Sequence, residues 1–295
     1  MTILVCGANG QLGRELRRIA GAGETGVWIF TDINELPGEQ TRLLDICDAG
    51  AVESLTDEVR PDVIVNCAAY TDVERAEDCP EAADMLNRAA PALLAEAALK
   101  HGATLIHIST DFVFPGNGRT PLRETDAPGP LNVYGQTKLA GEREILESGC
   151  KSIIIRTSWL YSPYGRNFVK SILKLAGERP EIEVVSDQTG SPTAAFDLAG
   201  FIRSIITEGK LSRTGLYHYC NGGEASRYEF ACCIRDLAGS NCRIEPCTSS
   251  AFPSKAQRPE YSSLDTDLVK QTFGVRIPHW KDSLRKVIER LSDNA

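Results

Sequence analysis

A short apolar run that ends in glycines and leads into a helical pattern constrains this chain more than any other feature. Ile3–Cys6 reads as a buried strand of the kind found inside parallel sheets. Gly7, Gly10 and Gly13 follow, and helical periodicity runs through Arg14–Ala20. Glycines at this spacing allow a tight turn, admit a pyrophosphate to the backbone, and let helix and strand approach closely. The N-terminal end of the helix then offers free N–H groups and a partial positive charge to phosphate. Strand, glycine triplet and helix in this order predict a dinucleotide site.

Asp32 fits the same reading. It ends a second apolar run, Val27–Thr31, about 20 residues beyond the glycines, where a carboxylate can accept hydrogen bonds from the adenine ribose. Its charge would repel a 2′-phosphate, unless neighbouring cations offset it. The competing reading is a strand-ending aspartate that starts a turn.

Alternation of strands and helices continues to about residue 160 and predicts a doubly wound parallel α/β sheet. Pro61–Ala69, Ala103–Ser109 and Ser152–Thr157 read as strands, and Glu81–His101 reads as one long alanine-rich helix. The pattern loosens after Gly165. Loops such as Gly190-Ser-Pro192 and Cys247–Pro259 suggest a smaller C-terminal substrate lobe. The expected division is a dinucleotide-binding domain over residues 1–165 and a lobe over 166–295, with chain crossings between them.

Composition narrows the class. At 295 residues and 42% hydrophobic content, the chain can bury one large core or a main domain with a lobe. A net charge of −8 argues against nucleic acid or an anionic membrane as partner. No apolar stretch reaches the roughly 18 residues of a membrane span, and a strand starting at Thr2 leaves no room for a signal peptide. Ten cysteines are scattered, without paired CxxC elements, and only four histidines are present. They read as reduced, mostly buried thiols of a cytoplasmic protein, with no metal centre.

The chemistry-bearing spacing is Tyr134-Gly-Gln-Thr-Lys138. On a helix over Tyr134–Leu146, phenol and ammonium share one face, one turn apart. A nearby ammonium stabilises phenolate and would lower the tyrosine pKa toward a range suited to acid–base work. Thr110 follows the strand Ala103–Ser109, at the carboxyl edge where open α/β sheets bind ligands. Its hydroxyl could polarise a carbonyl there.

Together these stretches resemble the extended short-chain dehydrogenase/reductase superfamily and, within it, the dTDP-4-dehydrorhamnose reductases. The resemblance rests on Gly7–Gly13, Asn66–Val73, Ser109–Gly116, Tyr134–Lys138, Arg156–Tyr161 and Asp187–Thr193, and extends to Gly215–His218 and Arg258-Pro259. It implies an NADPH- or NADH-dependent reduction of the 4-keto group of dTDP-4-dehydro-L-rhamnose. Tyr134 would be the proton donor, Lys138 would hold the nicotinamide ribose, and Thr110 would bond the reacting oxygen. Gly7, Asn9, Gly10, Gln11, Leu12, Gly13, Asp32, Ala68 and Ala69 would line the cofactor. Thr71, Val73 and Trp159 would shape the sugar pocket, and Asn167 and Arg258 would reach the nucleotide part. Some members dimerise around magnesium held by acidic residues. Glu15, which otherwise reads as a solvated helix residue, stands at one such position. Phe196 stands at another, so no metal is expected and a homodimer remains an open expectation.

The resemblance leaves two alternatives. One is another nucleotide-sugar enzyme, a 4-epimerase or a 4,6-dehydratase; dehydratases of the superfamily carry an acid after Thr-Asp, where this chain has Phe112, which cannot exchange a proton. A non-catalytic NADP-binding subunit, like the regulatory subunit of methionine adenosyltransferase, has no chemical need for Thr110, Tyr134 and Lys138 together.

Overall fold

Apolar strands buried on both faces require helices on both sides, and the fold supplies them. A computed structural model describes residues 1–20 and 26–293. The first half contributes β1 (Thr2–Cys6), β2 (Val27–Asp32), β3 (Arg42–Leu43), β4 (Val63–Asn66), β5 (Thr104–Thr110) and β6 (Lys151–Thr157). The second half adds β7 (Leu160–Tyr161), β8 (Glu181–Val185), β9 (Thr189–Gly190), β10 (Thr193–Ala194), β11 (Gly215–His218), β12 (Ala225–Ser226) and β13 (Arg243–Cys247).

Among the described residues, seven strands form one parallel sheet in the order β3-β2-β1-β4-β5-β6-β11. Chain direction across the sheet reverses between β1 and β4. That reversal opens a crevice at the carboxyl ends of the strands, where doubly wound sheets take their ligands. Side chains of β1 alternate between faces: Ile3 and Val5 pack with Leu12, Leu16 and Leu198, while Leu4 and Cys6 pack with Val52, Leu55 and Leu94. A separate core, including Ile172, Val184, Phe230, Trp280 and Leu284, holds the lobe. β11 returns to the main sheet from within the C-terminal half.

Three elements differ from their sequence reading. The first helix begins at Gln11, so Gly13 lies inside it. There a Cβ would collide with the Gly7 carbonyl and the Ala8 backbone. β4 stops at Asn66, and Cys67–Ala69 become loop, because the Asn66 side chain takes the Ala68 N–H (3.1 Å) that a strand would pair. The helix expected over Glu81–His101 carries a π turn at Met85–Ala89. Pro91 has no N–H for the Asn87 carbonyl and its ring crowds that group, which forces the wider turn.

The helix Val133–Glu147 is held to the sheet by a buried ion pair. Glu142, 2% exposed, accepts two hydrogen bonds from Arg156 of β6 (2.9 and 2.6 Å) and one from Ser109 of β5. Phe114 lies 4.9 Å from the Arg156 guanidinium. Removing the carboxylate strands a buried cation. We therefore expect Glu142→Ala to lower stability by about 3–5 kcal/mol in urea titration, and far more than Glu53→Ala, whose pair with Lys100 is exposed and screened by solvent.

Candidate active site

A cavity of about 710 Å³ opens at the switch point. It is lined by Gly7, Asn9, Gly10, Gln11, Leu12, Asp32, Ala68, Ala69, Thr71, Thr110, Tyr134, Lys138 and Trp159. Twelve residues that the sequence scattered between positions 7 and 138, with Trp159, thus surround one space. Gly13 sits just beneath, inside the first helix.

The floor of the cavity is suited to a dinucleotide. Gly7 adopts φ +76°, and a Cβ there would lie 2.5 Å from the Ala68 nitrogen. The glycine loop therefore meets the β4 loop with no room for a side chain. No acidic residue stands in the first turn of the helix Gln11–Ala20, which leaves its N–H groups open to phosphate. Asp32 accepts the N–H groups of Asn9 and Ile33, both at 2.9 Å. Each carboxylate oxygen keeps a further lone pair, so Asp32 shapes the loop and can still accept ribose hydroxyls. Asn9 anchors the loop again through the Asn34 carbonyl (2.6 Å).

The reacting wall depends on a close approach. Asn132 caps the helix Val133–Glu147 by accepting the Gly135 N–H (2.8 Å). Gly135 presses on the Phe112 carbonyl so closely that a Cβ would collide with it. That contact brings Tyr134 against the strand end, with its ring edge-on to Phe112 at 5.8 Å. Burial pushes the Tyr134 phenol up to about 12, the Thr110 hydroxyl pulls it down, and Asp111 pushes it up again. The sequence reading had Lys138 lowering this pKa, and the structure reverses that direction. Desolvation dominates, and the Lys138 amine bonds instead to the Ile108 carbonyl (2.6 Å) and His107 Nε2 (3.2 Å). A phenol that keeps its proton at neutral pH is the form an acid catalyst needs.

Lys138 is itself unusual. It is 1% exposed, and burial lowers it to about 8, with Glu142 acting in the opposite sense. His107 adds a second cause. Asn66 Oδ1 accepts the Ala68 N–H, so its amide nitrogen faces His107 Nδ1 at 3.1 Å. Two donors, the Asn66 amide and a Lys138 ammonium, then face one imidazole that has a single acceptor nitrogen when neutral. This conflict disfavours the ammonium, as burial does. Burial and Lys138 also hold His107 well below its ordinary pKa.

Sequence reasoning passed over His107, Asn66 and Asp111. Burial raises Asp111 to about 6, against bonds from Ser262 and Thr110. A His inside an apolar strand and an Asp between that strand and the apolar run Phe112–Phe114 were the available signal, since such groups are buried only with partners. It also passed over Asn87, which binds the Tyr70 N–H and carbonyl and the Thr137 hydroxyl, tying the β4 loop to the helix that carries Lys138.

Other expected residues are engaged elsewhere. Val73 opens the helix Val73–Asp78 after its Asp72 cap and does not line the cavity. Asn167 caps the helix Phe168–Glu178 and donates to Gln11 (2.9 Å) and the Ser162 carbonyl (2.8 Å), so it straps the lobe to the glycine loop. Arg258 borders a second cavity but is ion-paired to Glu74 at 2.7 Å. Glu15 is fully buried between Arg18 (3.0 Å) and Arg290 (2.8 Å), not solvated. Among the described residues no three His, Cys, Asp or Glu side chains group as a metal site. All ten cysteines are free thiols; Cys6, Cys220 and Cys242 are buried and the other seven are half-buried, so fewer are buried than expected. No described helix is long and apolar enough to cross a membrane.

A parallel sheet with a glycine phosphate loop, and a tyrosine–lysine pair at its carboxyl edge, defines a nicotinamide-dependent oxidoreductase of the short-chain type. Comparison with known proteins narrows the class. The family model described as the RmlD substrate binding domain matches residues 1–293, and the chain belongs to that family. It is 40% identical over 299 residues to the dTDP-4-dehydrorhamnose reductase of Shigella flexneri, covering 99% of this chain and 98% of the relative. The solved dTDP-4-dehydrorhamnose reductase of Clostridium acetobutylicum superposes with a TM-score of 0.92 at 39% identity, covering 99% and 100% of the two chains. That of Bacillus anthracis, in complex with NADP, superposes at 0.87 with 35% identity, covering 98% and 99%.

Two outcomes test the site. Tyr134→Phe keeps the ring and removes the acid, so turnover should fall by about 10²–10⁴-fold with NADPH affinity retained. Unchanged turnover would remove Tyr134 from the chemistry. Because Lys138 holds its proton below about pH 8 and loses it above, kcat/KM should break downward near that pH. In Lys138→Arg, whose guanidinium does not titrate there, the break should vanish.

Proposed function

We propose that this protein uses NADPH or NADH to reduce the 4-keto group of dTDP-4-dehydro-L-rhamnose, yielding dTDP-L-rhamnose. The observation that carries the reading is the convergence of Thr110, Tyr134 and Lys138 on the cavity whose other end is the glycine loop. Full-length similarity to dTDP-4-dehydrorhamnose reductases supplies the substrate.

Reduced nicotinamide, when bound, supplies the hydride. The chain's residues do the rest. Gly7, Gly10 and the first turn of the helix at Gln11 hold the pyrophosphate, while Asp32 accepts ribose hydroxyls. Ala68 and Ala69 bound the cofactor from the β4 loop. Lys138 holds the second ribose through its amine. Thr110 donates to the keto oxygen and so polarises the carbonyl before attack. Tyr134 then passes its phenolic proton to the same oxygen as it becomes an alcohol. Thr71 and Trp159 bound the sugar, and Trp159 is held at φ +45°, a conformation that costs energy for a bulky residue.

A dehydratase is disfavoured because the side chain at the eliminating position is Phe112, packed against Tyr134. In this reading residues 1–165 hold the cofactor and residues 166–295 supply most of the substrate lobe. Free thiols throughout fit the reducing cytoplasm. A homodimer is the remaining expectation from the family, and light scattering tests it.

The direct assay mixes protein, dTDP-4-dehydro-L-rhamnose and each reduced cofactor, and follows loss of nicotinamide absorbance. Oxidation of cofactor with the nucleotide sugar is expected. Equal rates with the free keto-hexose would overturn the substrate assignment. Asp32→Ala should raise the kcat/KM ratio of NADPH to NADH, since the like-charge barrier to a 2′-phosphate is gone. An unchanged ratio would mean that Asp32 serves only the Asn9 and Ile33 N–H groups.

A further inference from the structure

Arg227 is a cation bordering the second cavity that sequence reasoning did not select. It is the first residue of the helix Arg227–Leu237, directly after the Ser226 cap. Pairing of β12 with β9, which sets Ser226 opposite Thr189, fixes the approach, and the Arg227 N–H donates to the Gln188 carbonyl (3.1 Å). Its guanidinium lies 3.5 Å over the Trp159 ring and 5.2 Å from the Phe168 ring.

The stack is built from several sides. Gly190 leaves the space that the indole fills, since a Cβ there would fall 2.6 Å from the ring. Trp159 adopts its positive φ to lie in that space. The guanidinium so placed has no hydrogen bond or ion pair among the described residues, and the charges it senses are Asp111 and Arg258. Burial and the Arg258 charge lower its pKa, Asp111 opposes them, and the guanidinium stays charged at neutral pH. Arg258, the cation expected from sequence, is by contrast already paired with Glu74 and bonded to Ser254.

Position then identifies the ligand. Trp159 lines the cavity that contains Thr110 and Tyr134. Arg227 lines a second cavity of about 1050 Å³, together with Phe168, Gln188, Ser249 and Arg258. One aromatic ring therefore separates the reacting wall from an unpaired, planar cation. In a nucleotide sugar, one pyranose ring separates the 4-keto carbon from the diphosphate on C1. We propose that Arg227, laid on Trp159, anchors the diphosphate of the nucleotide sugar and directs its nucleoside into the second cavity. This rests on the nucleotide-sugar reading above and adds a residue-level anchor to it. A guanidinium fork suits adjacent phosphate oxygens, and the indole beneath keeps it flat without competing for its N–H groups.

Thymidine diphosphate is the probe, measured by calorimetry on the NADPH-loaded protein and by competition in the reductase assay. Arg227→Gln should weaken it by about 10- to 100-fold, the usual loss for hydrogen bonds to a charged group. KM for the nucleotide sugar should rise in parallel, with kcat at saturation and NADPH affinity unchanged. Arg227→Lys keeps the charge without the fork and should fall between, which also covers a glutamine variant that folds poorly. Wild-type affinity for thymidine diphosphate in Arg227→Gln, with NADPH binding intact, would overturn the proposal while leaving the reductase reading standing. Tight, Arg227-dependent binding of the diphosphate without cofactor oxidation would do the reverse.

Discussion

The Glu142–Arg156 pair is the interaction on which the rest of the site depends. Glu142 lies one helical turn beyond Lys138 and two beyond Tyr134, on the face that meets the sheet. Its carboxylate is bonded to β5 through Ser109 and to β6 through Arg156. A buried pair of this kind gains little stability over an apolar contact of equal volume. Its use here is registry. A carboxylate bonded by both a hydroxyl and a guanidinium has one low-energy position, and that position fixes how far the helix slides along β5. The same sliding coordinate sets where Tyr134 stands relative to Thr110.

Close backbone contacts fix the remaining distances. Gly135 against the Phe112 carbonyl, Gly141 against the Asn87 carbonyl, and Gly7 against Ala68 each remove a side chain where two elements meet. The π turn contributes to the same end. It turns Asn87 toward both the β4 loop and Thr137, so one amide holds together the segment that bounds the cofactor and the helix that bears Lys138.

Electrostatics in the cleft follow from desolvation. Tyr134 is raised, Lys138 and Arg227 are lowered, and Asp111 is raised, with burial the leading cause in each. Each group is thereby shifted toward its neutral form in the free protein. A site in this state gains most when a polyanionic substrate and its cofactor arrive. Their phosphates and hydroxyls supply Lys138 and Arg227 with the partners that the protein interior withholds, while the same negative charge keeps the Tyr134 phenol protonated.

The sequence alone determined the parallel sheet, the glycine loop with Asp32, and the group Thr110, Tyr134 and Lys138. Those features are local: strand burial, a glycine at a forced turn, and helical spacing are each written within a few consecutive residues. Tertiary structure decided the direction of the Tyr134 shift, because burial outweighed the neighbour that spacing had suggested. It decided that Arg258 is neutralised by Glu74 while Arg227 is not, a difference carried by a partner 184 positions away in one case and by a stacked indole in the other. It also decided that Asn167 straps the lobe to Gln11. Charge, desolvation and pairing depend on every element packed around a group. No stretch of the chain states them by itself.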